Sequence, residues 1–207
     1  MKLFSQILMC IPFLMLGAAC STTVNNPKLN SKTTVGVLNK FPEQVSYIKQ
    51  KTFVFRHQAS DVQTTKFKTV MTQTTKDYLV ARGYKVLEVQ SKEALKDGSV
   101  DMIVEIVPRH VLKQEDRFGY GFSDRSFLLV IKNPPNSYVC LHLSLHRKDK
   151  AKIKKTDREE SFSRLDIETL PDEVKDLTQE QKDMMVDNLK ENITKTIHRM
   201  MPKLGFN

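Results

Sequence analysis

At 207 residues the chain has room for one domain with a proper core plus an extension, which makes a single folded unit the default. It contains three cysteines, and the N-terminal reading below uses Cys10 and Cys20, so Cys140 alone remains and an intramolecular disulfide is excluded. The net charge of +9 suits anionic lipid, phosphate or acidic glycan as a neighbour; nucleic acid, the usual first partner of such a charge, is excluded by the export signal that opens the chain.

That signal occupies residues 1–19. Lys2 gives a positive start, Leu3 to Leu16 are apolar apart from Ser5 and Gln6, and Gly17, Ala18 and Ala19 are small, which is the order of a secretion signal. A membrane span needs about 20 predominantly apolar residues, and this run is shorter and lacks a basic stop-transfer flank. The sequence Leu16-Gly17-Ala18-Ala19-Cys20 resembles the lipobox of bacterial lipoproteins. The resemblance implies that Cys20 is acylated and becomes the first residue of the mature chain. It also implies a membrane partner through the lipid anchor, and Ser21 after the cysteine favours the outer membrane, facing the periplasm.

Residues 20–50 are rich in Asn, Ser, Thr and Lys, are broken by Pro27 and Pro42, and read as the lipidated cysteine and a flexible tether, with the folded domain at 51–207. Thr52-Phe53-Val54-Phe55 opens the domain as a strand. Ser60-Asp61-Val62-Gln63 has the form of a capping box, and Phe67, Val70, Met71, Tyr78 and Ala81 recur at helical spacing until Gly83, so a helix is expected over about 62–82. Strands are expected at 84–89 and 100–107, with a short helical turn at 91–96 between them. Phe118-Gly119-Tyr120-Gly121-Phe122 among charged neighbours reads as a long loop, followed by a strand at 126–131.

Asn133-Pro134-Pro135-Asn136 breaks the chain before the strand 138–145, in which Val139, Leu141, Leu143 and Leu145 share one face and Tyr138, Cys140, His142, Ser144 and His146 the other. The charged segment 152–162 suits an edge strand. Thr178-Gln179-Glu180-Gln181 forms a second capping box, after which Met185, Leu189, Ile193, Ile197 and Met200 mark a long helix ending at Pro202. The fold class is α+β: a single sheet of about five to six strands, mostly antiparallel in its second half, with two long helices packed on one face.

The order of these pieces, in particular Lys51 to Phe55, Leu79 to Tyr84, Asp101 to Val104, Phe118 to Phe122, Leu141 to Leu145 and the helix running to Met201-Pro202, resembles a family of small Gram-negative lipoproteins with an uncharacterised α/β domain. More distantly it is similar to the TolB amino-terminal-like lipoproteins. Both resemblances imply a non-enzymatic accessory role carried out by binding partners.

No catalytic constellation is legible: there is no Gly-x-Ser-x-Gly elbow, no zinc-binding histidine helix and no phosphate-cradling glycine loop. His142 and His146 lie roughly 13 Å apart along a straight strand, too far to share one zinc at about 2.1 Å, so no metal and no cofactor is expected. Cys140 reads as a small core residue. The glycine-aromatic loop has two readings, a strip covering the sheet or a contact site in which Phe118, Tyr120 and Phe122, flanked by Arg117 and Arg125, meet an envelope protein or an anionic glycan or lipid. The alternative to an accessory module is a cell-wall or lipid hydrolase, whose mark would be a deep polar pocket with convergent ionisable groups.

Overall fold

A computed structural model describes residues 33–51, 54–60, 66–112, 114–127, 131–132, 134–148, 150–155 and 158–207. The signal segment, Cys20 and the Asp61 to Gln63 part of the first capping box lie outside the described residues.

The chain runs through strands β1 (Thr34–Asn39), β2 (Val45–Lys51) and β3 (Val54–Ser60), helix α1 (Phe67–Val80), strand β4 (Lys85–Glu88), the short helix α2 (Glu93–Lys96) and strand β5 (Met102–Pro108). Strands β6 (His110–Val111), β7 (Gln114–Phe118), β8 (Tyr120–Phe127), β9 (Ile131–Lys132), β10 (Asn136–Arg147), β11 (Lys150–Lys155) and β12 (Glu159–Arg164) follow. The chain closes with helix α3 (Gln179–Met200), which is flanked by two short 3-10 turns.

Helix α3 forms where its sequence says it should. The Thr178 hydroxyl accepts from the Gln181 N–H at 3.2 Å and the Gln181 side chain accepts from the Thr178 N–H at 2.9 Å, a reciprocal cap that contributes about 1 kcal/mol. Met185, Leu189, Ile193, Ile197 and Met200 are all fully buried, on one stripe. The first helix differs from expectation. It begins at Phe67, its N-cap is Lys66 with no side-chain cap hydrogen bond, and Ser60 instead closes β3, where it pairs with Val45 of β2. Gly83 ends it in the left-handed conformation, at φ 84°.

Ten strands form the main sheet, more than the five to six expected, but they lie end to end in five rows. Cys140 shows why. A strand residue points its N–H and C=O to the same side, and here the Cys140 N–H donates to the Gly119 carbonyl at 2.6 Å while its own carbonyl accepts from the Arg109 N–H at 3.1 Å. β5 and β8 therefore follow one another along the same side of β10, pairing with its second and first halves respectively. On the other flank of that row, β1 runs parallel to β5 and β2 parallel to β8. β4 and β3 form the outermost row beyond them. β11 and β12 line the opposite side of β10, both antiparallel. The second half is antiparallel in its pairings with β10, but the parallel β2–β8 pair makes the sheet mixed. β6 and β7 stand apart as a two-stranded ribbon.

Two strands lie where a tether is expected. β1 and β2 occupy an inner row, with Val35, Val37, Leu38, Val45, Tyr47 and Ile48 buried. Because both faces of these strands are covered, they carry no clean alternation, and their Asn, Thr and Pro flanks have linker composition. The expected strand at 126–131 is divided between the end of β8 and β9.

One sheet face carries the main core. Val139, Leu141, Leu143 and Leu145 of β10 meet Met71, Tyr78 and Leu79 of α1 and the buried stripe of α3, so both long helices pack on one face. The other face has two smaller apolar patches: Leu38, Val100 and Ile103 beneath α2, and Ile48, Val111, Tyr138 and Cys140 beneath the β6–β7 ribbon. Among the described residues no helix is long and apolar enough to cross a membrane.

Candidate partner-docking surface

The ribbon is an excursion. Row continuity would take Pro108 of β5 directly into Tyr120 of β8, but Arg109 to Gly119 leave the row, fold over the outer sheet face and return, closed at the neck by the Gly119 N–H donating to the Arg109 carbonyl at 2.9 Å. Gly119 makes the return at φ 68°. The inner side of the ribbon sets Val111 onto Tyr138 and Cys140. Cys140 is accordingly core, its thiol beside the His110 carbonyl at 3.3 Å, and burial pushes its pKa up.

The glycine-aromatic segment is thus two strand ends joined at Gly119, and its aromatics divide between two environments. Tyr120 and Phe122 point to the helix face and are fully buried, Tyr120 stacking on Phe41 with ring centroids 5.0 Å apart. This corrects their assignment to a contact site, since a partner cannot reach them. Phe118 is 38% exposed and packs on His110 at 4.8 Å between centroids. Arg117 is 5% exposed, with its guanidinium carbon over the neighbouring rings of Tyr138 and Phe162, 5.6 and 5.5 Å from their centroids. Burial and the neighbouring Arg125 cation bring its pKa down to about 10. Arg125 is half-buried and paired with Asp116.

Two further members of the surface have no counterpart in the sequence reading. Leu112, at the ribbon's turn, is 65% exposed and its N–H donates to Glu160 of β12 at 2.9 Å; Phe162 of the same strand is 47% exposed. With Phe118 they make up three of the five exposed large hydrophobic side chains among the described residues, gathered on one surface. Arg109, exposed, and Arg158, half-buried against Glu160, add cations to the rim. The signal available in the sequence was Phe162 itself, an aromatic within an otherwise charged edge strand.

Between this surface and the Leu38, Val100 and Ile103 patch, the outer face carries polar residues. His142 and His146, which share it with Cys140, have different partners: His142 Nδ1 lies 3.3 Å from Arg109, and His146 Nε2 lies 2.7 Å from Glu105. Among the described residues no group of three His, Cys, Asp or Glu side chains is placed to hold a metal ion. Glu105 is buried and also meets Lys92 at 2.8 Å and Lys40 at 3.1 Å. Burial by itself would raise its pKa, but the hydrogen bonds from Lys92, Lys40 and His146 more than offset this and bring it to about 2. A carboxylate depressed in the folded state stabilises the fold fully above its unfolded value and loses that contribution as pH falls through the folded one. Urea unfolding is therefore expected to show a loss on the order of 2 to 3 kcal/mol between about pH 4.5 and pH 2, and Glu105→Gln should flatten that part of the profile.

A polar crevice of about 230 Å³ sits at the carboxyl ends of β1 and β4 beside the first turn of α1, lined in part by Asn39, Thr72, Glu88 and Gln90. Of the three ionisable groups on its wall, Lys68 and Glu43 pair with each other at 3.2 Å, and Glu88 is the third.

No family model and no curated protein matches the chain. Among solved structures it is similar to protein XCC0632 from Xanthomonas campestris, described as family DUF330, with a TM-score of 0.51 and 7% identity over 84% of this chain and 86% of that one. The hypothetical protein CT253 from Chlamydia trachomatis aligns with a TM-score of 0.43 and 8% identity, over 84% of this chain and 95% of that one. At such identity the likeness to XCC0632 is one of fold, that of an uncharacterised mixed α/β domain.

Proposed function

We propose that the chain is a lipid-anchored accessory protein of the bacterial envelope, held at the outer membrane facing the periplasm, which binds a partner through the surface formed by Leu112, Phe118 and Phe162 and does no catalysis of its own. The anchor rests on Lys2, the apolar run to Leu16 and Gly17-Ala18-Ala19-Cys20. Each buried acyl methylene contributes about 0.8 kcal/mol, so more than one chain on Cys20 holds the protein durably. The observation that carries the binding role is the clustering of three exposed apolar side chains over a cationic rim, on a ribbon that the continuity of the sheet does not require. An envelope protein fits this mixture of apolar and cationic surface better than a glycan does. A cell-wall or lipid hydrolase has less to rest on, because the polar crevice beside α1 has its lysine and Glu43 engaged with each other.

The test is site-specific photocrosslinking in cells with the probe at Leu112. One defined adduct is expected, lost in a Phe118→Ser/Phe162→Ser variant that still melts cooperatively, and reduced when Cys20→Ser removes the anchor. An adduct unchanged by the double substitution would sink the docking assignment, and a Cys20→Ser chain that still fractionates with membranes would sink the anchor.

A further inference from the structure

β12 forms an edge of the main sheet, and β10 fixes the direction in which its backbone points. The N–H and C=O of Cys140 face Gly119 and Arg109, away from Glu160, which stands opposite Cys140 in the β10–β12 register. Glu160 therefore turns its own N–H and C=O away from β10, and by alternation so do Phe162 and Arg164. The Leu165 N–H, one residue on, agrees, because it donates to the Pro135 carbonyl beside β10 at 2.8 Å. Among the described residues β12 pairs with β10 alone, and of these outward groups only the Arg164 carbonyl has a partner, the Asn188 amide at 2.9 Å. A row of this kind is a template for another strand.

The side chains say which strand. Glu160, Phe162 and Arg164 share the outer face, with Phe162 and Arg164 exposed and Glu160 holding the Leu112 N–H and Arg158. Charges on an edge ordinarily keep strands apart. Here they are of opposite sign and lie symmetrically, two residues before and two after Phe162. A second copy of β12 laid antiparallel, Phe162 opposite Phe162, sets each Glu160 opposite the other copy's Arg164. Only outward-facing residues can exchange hydrogen bonds, so the copies can slide only by two residues. One slide opposes Arg158 to Arg164 and the other opposes Glu160 to Asp166, like charges in both cases. The Glu160 carboxylate can take the added arginine without releasing Leu112, since its two oxygens offer about four acceptor positions.

We infer that the chain forms a two-fold homodimer by joining β12 to β12, Phe162 against Phe162 and Glu160 against Arg164, so that two sheets become one. The inference rests on the docking reading of this surface and names its occupant as a second copy of the chain.

The test is sedimentation equilibrium of the purified full chain in density-matched detergent. A reversible monomer–dimer equilibrium is expected, with a midpoint on the order of 10 μM for so small an interface. Glu160→Arg and Arg164→Glu each oppose like charges and should raise the dissociation constant at least tenfold. An equimolar mixture of the two variants restores opposite signs at every opposed pair and should associate within about threefold of the parent. Phe162→Glu, which sets two carboxylates face to face on the axis and touches neither ion pair, should also dissociate the dimer. A parent that stays monomeric at tenfold the expected midpoint overturns the dimer. A dimer indifferent to these substitutions, or variants that mixing does not rescue, overturns this interface. The purified chain contains no other envelope protein, so a monomer here leaves a Leu112 adduct in cells to report a different partner, and the two readings fail separately.

Discussion

Gly121→Ala is expected to destabilise the protein by roughly 3 to 5 kcal/mol and to lower its melting temperature by about 10 °C, because there is no room for a side chain where β8 passes β2. Gly121 pairs with Ser46, and a Cβ built on it would stand 2.2 Å from the Ser46 carbonyl oxygen and 2.9 Å from the carbonyl carbon. These are backbone atoms of inner strands: β2 is held between β3 and β8, and β8 between β2 and β10, so neither can move away without breaking a second ladder. Gly83→Ala is the control. Gly83 has φ 84° but nothing within 4 Å of the added carbon, so only the left-handed backbone penalty of about 1 to 2 kcal/mol applies. Thermal melts of the two variants should separate clearly; a Gly121→Ala melt within 2 °C of the parent would contradict the β2–β8 register.

Removing the carboxylate of Asp124 should have an effect of similar size by a different route. Lys49 and Asp124 are both buried on the helix face and lie 2.9 Å apart. Asp124 Oδ2 also accepts from the Leu170 N–H at 2.9 Å and the Thr169 hydroxyl at 3.0 Å, while Lys49 donates to the Leu170 carbonyl. The pair thereby pins the segment between β12 and α3 onto the sheet, aided by the Tyr47 hydroxyl donating to the Pro171 carbonyl at 2.7 Å. Asp124→Ala leaves a buried ammonium without its counterion and is expected to cost about 3 to 5 kcal/mol, with protease cleavage appearing first near residues 166–176. The double variant Lys49→Met/Asp124→Leu removes both charges together. It should recover most of the loss in urea unfolding, and a double variant as unstable as the single one would mean that the pair contributes more than its desolvation costs.

The candidate surface was legible in part. Glycine alternating with aromatics between arginines pointed to the stretch that contributes Phe118 to this surface, with Arg117 buried. Tyr120 and Phe122 do not, because residues 120 and 122 fall on the helix side once β8 pairs with β2 and β10, and a strand's alternation cannot say which of its two faces receives the helices. Phe162 joins the surface only because β12 sets it opposite Tyr138, and Leu112 only because the ribbon turns back over β12.

What the sequence determined by itself is whatever depends on neighbours a few residues apart. The Thr178 to Gln181 cap, the buried stripe of α3, the left-handed stop at Gly83 and the two-faced alternation of β10 are all written in local spacing, and the structure contains each of them. Tertiary structure alone decided the rest. It drew Thr34 to Gln50 out of an expected tether into the sheet, aligned ten strands in five rows, and joined Lys49 to Asp124 across 75 positions. The physical reason is that periodicity encodes which side of an element is apolar, whereas register and row order depend on ladders between distant segments, and those leave no periodic trace in either segment alone.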